Sequence, residues 1–178
     1  MTAKIGLRSP GAVDKVGERN CLLLTYQEEG EETVYGLVID CGQKIPTGSH
    51  RAMGQYSDER LAPEYCPDFT QMEGVTIAGI LISHKHRDHV GALEEFLRLY
   101  PDVPGVCSPS TLAFIKGGLL RGGSGGLDKW RTDKDAVQLG PFTVTSFDVL
   151  HSTDGCLGFV ISAGGVNVFY SGDLKTPA

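Results

Sequence analysis

Three of the chain's five histidines, His84, His86 and His89, fall within the stretch "SHKHRDHVG" at 83–91, with Asp88 beside the last of them. Imidazole nitrogen and carboxylate oxygen are the ligands that Zn²⁺ and similar divalent ions take. On an α-helix, residues two apart point about 200° away from each other, so His84 and His86 cannot chelate one ion from a helix. At the mouth of a strand, residues two apart share a face. A turn after that strand can bring Asp88 and His89 to the same point. The pattern H-x-H-x-D-H therefore offers suitable ligands for two ions, against the plainer reading of a polar loop that happens to be rich in histidine.

The surrounding sequence supplies elements to hold such a cluster. "VTIAGILISH" (75–84) is β-branched and almost uncharged, as a strand buried on both faces should be. "HVGALEEFLRLY" (89–100) sets Val90, Leu93, Leu97 and Tyr100 at helical spacing, and Pro101 and Pro104 end the run. Upstream, "NCLLLTY" (20–26) and "TVYGLVIDCG" (33–42) flank an acidic turn and read as a hairpin. Residues 43–69 are polar and broken by proline, which predicts a long loop with at most a short helical turn. "GVCSPSTLAFIKGG" (105–118) predicts a short strand and then a helix capped by Ser108, Pro109 and Ser110. "RGGSGGLDK" (121–129) lacks the Lys-Ser/Thr ending of a phosphate-cradling loop and reads as a mobile one. Four strand-like runs follow, "AVQLG", "FTVTSFDVLHS", "LGFVISAGG" and "VNVFYSGD", with a tight "AGG" turn between the last two. The fold class is α/β with a mixed sheet rich in hairpins.

At 178 residues the chain matches one domain, given roughly 100–200 residues per domain. No window approaches a membrane span and the first residues lack a signal-peptide apolar run, so a cytoplasmic protein is expected. Five widely spaced cysteines without a C-x-x-C pair fit reduced, buried thiols. A net charge of −6 argues against nucleic-acid binding by bulk electrostatics, although bound Zn²⁺ would add positive charge locally. Trp130 and the other aromatics read as packing residues.

"HKHRDH" followed by Val-Gly resembles the metal motif of the metallo-β-lactamase fold superfamily. The other stations of that family occur in order: "VIDCG" with Asp40, "LHS" with His151, and "YSGDLK" with Asp173. Taken singly, each is an ordinary strand-end or turn residue; their joint placement at the ends of strand-like segments carries the weight. "VGERNCLLL", "IDCGQKIP", "CPDF", "HSTDG" and "SGDLK" together are similar to the ribonuclease J group of β-CASP RNA-processing enzymes. The resemblance implies an αββα sandwich with mixed sheets. It implies that His84, His86 and His151 hold a first Zn²⁺, Asp88 and His89 a second, with Asp173 shared, Mn²⁺ or Fe being chemically possible. Asp40 would support the ligands from behind, and Asp88 and His151 would serve the chemistry, which is metal-assisted hydrolysis of RNA phosphodiester bonds. Ser152 and Thr153 are candidate phosphate contacts, as are Lys85 and Arg87, against plain turn chemistry and solvated charge.

Members of that family continue well beyond the "GD" motif, whereas five residues follow Asp173 here. The expectation is a fragment or a short form completed by a partner chain or by its own dimer, since an unfinished sheet edge favours pairing. His50 is the one histidine left unassigned, and an exposed loop position accounts for it. Two other functions fit the same residues: a catalytically silent metal-binding module that completes or regulates a partner, and a hydrolase of small esters, thioesters or lactones.

Overall fold

The computed structural model describes residues 3–11, 18–45, 63–120 and 126–175. Two sheets face each other. The first has strand order β1 (Lys4–Arg8), β2 (Leu22–Gln27), β3 (Tyr35–Ile39), β4 (Thr76–Leu81), β5 (Gly105–Val106). It is mixed: β1, β2 and β3 pair antiparallel, while β3, β4 and β5 pair parallel. The second runs β6 (Val137–Leu139), β7 (Phe142–Asp148), β8 (Leu157–Ala163), β9 (Val166–Tyr170) and is antiparallel throughout, so only one of the two expected mixed sheets is mixed. Helices α1 (Arg87–Val90), α2 (Leu93–Leu99) and α3 (Pro109–Phe114) cover the outer face of the first sheet. Three of the four layers of an αββα sandwich are thus present among the described residues.

The alternation of side chains along the central strands explains their unbroken apolar runs. Leu24, Leu37, Ile39 and Leu81 point into the space between the sheets, against Phe142, Phe159 and Ile161. Their neighbours Leu23, Val38, Ile80 and Ile82 point the other way, against Val90, Leu93 and Phe96. Among the described residues the second sheet is covered on one face only, and β7 alternates accordingly, with Phe142, Val144 and Ser146 buried and Thr143 and Thr145 exposed. Gly164 and Gly165 both have positive φ, 53° and 79°, which a two-residue hairpin turn between β8 and β9 requires.

Several expectations need adjustment. The single helix foreseen over 89–100 is two helices, because the Ala92 N–H donates out of the helix to the Cys41 carbonyl at 2.9 Å. The first helix begins at Arg87, two residues earlier than foreseen, so Asp88 joins His89 on its opening turn. Strand β1 was not foreseen; it is short and half-exposed, so its pattern is weak. Of the long loop, 63–65 and 69–72 form 3₁₀ turns, while His50 lies outside the described residues. So does most of the glycine-rich stretch, although Leu127–Lys129 at its end form a 3₁₀ turn with Leu127 buried. Ser108 caps α3, accepting from the Thr111 N–H, and Trp130 is buried in the helical core.

Candidate metal centre

Asp40 follows β3, His84 follows β4, His151 follows β7 and Asp173 follows β9. Strands β3 and β4 run parallel, as do β7 and β9 through their shared antiparallel neighbour β8. All four residues therefore come off the ends of like-directed pairs, and the two sheets bring them together. Helix α1 is fixed against them by backbone bonds: Asn20 N–H to Asp88 C=O at 2.8 Å, Cys41 N–H to His89 C=O at 2.7 Å and Gln43 N–H to Arg87 C=O at 2.9 Å. Gly42 permits that approach, since a Cβ there would stand 1.6 Å from the Asp88 carbonyl oxygen.

Two groups of three ligand atoms converge. His84, His86 and His151 form one, and His84, His89 and Asp173 the other, with the atoms of each group within 4.8 Å of one another. In the first, His84 Nε2 is 3.0 Å from His86 Nδ1, and His151 Nε2 is 3.2 Å from the same atom. His84 belongs to both groups, and Asp173, of the second, also faces the first: Oδ1 is 3.3 Å from His89 Nε2 and Oδ2 is 3.6 Å from His151 Nε2. Asp88 is outside these tightest sets but near them, with Oδ2 3.7 Å from His89 Nε2.

Behind the ligands, Asp40 has no exposed surface and accepts from the Ser83 N–H at 2.7 Å, the Ser83 hydroxyl at 2.8 Å, the Tyr170 hydroxyl at 2.6 Å and His89 Nδ1 at 2.7 Å. It adopts a left-handed backbone, φ 59°, uncommon for a residue with a side chain. Burial disfavours its charge, but the facing His89 and these hydrogen bonds outweigh burial and hold its carboxyl below the usual range. Because the Ser83 hydroxyl donates to Asp40, it can only accept from His84 Nδ1, 2.9 Å away. This fixes the tautomer of His84 and leaves its Nε2 as a bare lone pair.

Burial, then repulsion from His89, lowers His84 to about 3, so it is neutral. Burial, then His151, lowers His86 as well. Burial also works against a charge on His89, but the Asp40 carboxylate and its hydrogen bond, with Asp88 and Asp173, raise it to about 8. Imidazole nitrogens converge on one side and a carboxylate-lined nitrogen on the other, a donor set that fits divalent cations.

The structure brings His84, His86, His89, His151 and Asp173 together, with Asp88 beside them and Asp40 behind; the phosphate contacts are less defined. Ser152 is exposed with its Oγ 3.4 Å from His151 Nε2, Thr153 is half-buried, and Lys85 and Arg87 are half-buried. Sequence reasoning missed Asn20, whose Nδ2 is 3.2 Å from Asp88 Oδ2 and 3.0 Å from His89 Nε2. It also missed Ser83 and Tyr170. Ser83, next to His84, was the one within reach of inspection; Asn20 and Tyr170 arrive through tertiary contacts.

A family model described as the Beta-lactamase superfamily domain matches residues 35–177. A ribonuclease J of Mycolicibacterium smegmatis is 30% identical over 152 residues, covering 78% of this chain and 24% of its own length. A ribonuclease J of Mycobacterium tuberculosis is 28% identical over 179 residues, covering 96% of this chain and 30% of its own. The chain thus spans under a third of the length of these relatives. Among solved structures, a metallo-β-lactamase of Cronobacter sakazakii superposes with a TM-score of 0.59 at 16% identity, over 93% of this chain and 60% of that one. That likeness is one of fold.

Proposed function

This chain belongs to the β-lactamase superfamily, with the metallo-β-lactamase fold, and from that premise we propose that it is a metal-dependent hydrolase that cleaves RNA phosphodiester bonds. The observation that carries the reading is Asp173, whose two carboxylate oxygens face His89 and His151 separately at 3.3 and 3.6 Å, as a carboxylate shared by two cations must. His84, His86 and His151 would hold one ion; His89 and Asp173, with Asp88 alongside, would hold the second. Zn²⁺ suits these ligands best, with Mn²⁺ or Fe also compatible. Bound there, such ions supply positive charge to a phosphoryl oxygen and bring the pKa of water toward neutrality.

The chain's own side chains do the rest. Asp40 and Ser83 orient His89 and His84 so that the bare nitrogens face inward. Asp88, steadied by the Asn20 amide, takes the proton from the attacking water. The exposed Ser152 hydroxyl beside His151, and that of Thr153, donate to the non-bridging phosphate oxygens. RNA as substrate is supported by the likeness to ribonuclease J, and the five free, buried thiols suit the reducing cytoplasm. Among the described residues, no helix is long and apolar enough to cross a membrane.

The test is hydrolysis of single-stranded RNA and of bis(p-nitrophenyl) phosphate by the zinc-loaded chain. Activity should vanish on chelation, return with Zn²⁺, and be lost in Asp88→Ala at unchanged melting temperature. A folded, zinc-loaded chain inert toward both substrates contradicts the proposal.

A further inference from the structure

A cavity of about 330 Å³ opens between the start of α3, the loop 149–156 and β7. That loop carries His151 toward the histidine cluster and Asp154 and Gly155 toward this cavity, so one segment serves both places. Three residues span at most about 11 Å when fully extended, so the cavity adjoins the metal centre.

Its walls are set. Ser110 Oγ donates to the Asp154 carbonyl at 3.0 Å, and Ser108 Oγ accepts from the Thr111 N–H at 3.2 Å. Gly155, φ 69°, presses so close that a Cβ would stand 2.2 Å from Ser110 Oγ and 2.5 Å from Ser108 Oγ. Ser146, on the inner face of β7, lines the cavity with 7% of its surface exposed and offers it a hydroxyl. Around this hydroxyl the surface is largely apolar, with Pro109 and Leu157.

The charges at the rim say what would enter. Lys134 is already paired with Asp148, and Asp154 adds a second carboxylate. The rim is net negative, which disfavours a phosphate and favours a neutral group rich in hydrogen-bond donors. A ribonucleoside meets these terms: a flat apolar ring for Leu157 and Pro109, polar edges for Ser146, and a vicinal diol that a carboxylate accepts from. The volume lies at the lower end of small-ligand sites, as one such group requires.

We infer that this cavity receives the ribonucleoside adjoining the scissile phosphate, with Asp154 accepting from the ribose hydroxyls and Ser146 meeting the buried edge of the base. The inference rests on the phosphodiesterase reading above. It makes Asp154 a determinant of ribose over deoxyribose.

The test titrates the full chain, as purified, with adenosine and uridine and with their 2′-deoxy counterparts, followed by amide NMR. Shifts should cluster at Ser146, Asp154 and Gly155, with the ribonucleosides binding about fivefold more tightly, the worth of one hydrogen bond. Asp154→Ala, an exposed position, should abolish that preference. Ser146→Leu should raise KM for a ribodinucleotide about tenfold, more than it raises KM for bis(p-nitrophenyl) phosphate. Absence of shifts at millimolar nucleoside, or shifts confined elsewhere, overturns the inference, as does an Asp154→Ala chain that keeps the preference. If no phosphodiester is cleaved, the phosphodiesterase reading falls, and the nucleoside titration still decides the cavity.

Discussion

His89 Nδ1 lies 2.7 Å from Asp40 Oδ2, joining a residue of the histidine motif to a carboxylate that has no exposed surface. Asp40 accepts from four donors at once. An amide in its place would set an N–H against one of those donors. Asp40→Asn should therefore lower stability by about 3–5 kcal/mol, the cost of breaking a buried pair. It should also weaken zinc binding about 10–100-fold. Denaturant unfolding and competitive zinc titration check both, and an unchanged zinc affinity would refute the supporting role given to Asp40.

Tyr170 reaches the same carboxylate from the second sheet, its hydroxyl 2.6 Å from Asp40 Oδ2. Tyr170→Phe keeps the ring and removes one hydrogen bond to a charged acceptor, so a loss of about 1.5–3 kcal/mol is expected in denaturant unfolding. No loss would mean that the two sheets are not coupled through this bond.

Gly42→Ala places a methyl group 1.6 Å from the Asp88 carbonyl oxygen, where only backbone movement can relieve it. Since α1 carries Asp88 and His89, the shift should displace both. Expected are a destabilisation of more than about 3 kcal/mol and loss of tightly held metal, checked by melting and elemental analysis. A native-like melt with full metal content contradicts the close packing described.

Cys107 gives a pH dependence away from the metal centre. Burial raises its thiol from 9.0 to about 12, so the native chain keeps this proton while the unfolded chain loses it above pH 9. The contribution is complete below the unfolded value and is lost as pH rises toward the folded one. Between pH 9.5 and 11.5, stability should fall by about 1.4 kcal/mol per pH unit from this group, and Cys107→Ala should remove that part of the slope. An equal slope in the variant contradicts the assignment.

Much of the architecture is legible in the residues themselves. Leu23 and Leu24, or Ile80 and Leu81, are adjacent apolar residues because each neighbour serves a different core, and such runs mark strands buried on both faces. The β8–β9 turn is written in Gly164 and Gly165. Less legible is whatever depends on a distant partner. The break at Ala92 exists because Cys41 accepts its N–H, and no helical periodicity records that. Asn20 and Tyr170 look like ordinary strand-flanking residues until the sheets pack. The histidine motif advertises a metal centre locally, but the approach of His151 and Asp173 depends on how the second sheet seats on the first.

The central claim is that these imidazoles and carboxylates cage divalent cations, and the most direct test is the metal content per chain after dialysis against trace Zn²⁺. Two ions per chain are predicted, falling to one in His86→Ala, which leaves His89 and Asp173 intact. A folded chain that retains no metal would contradict the account.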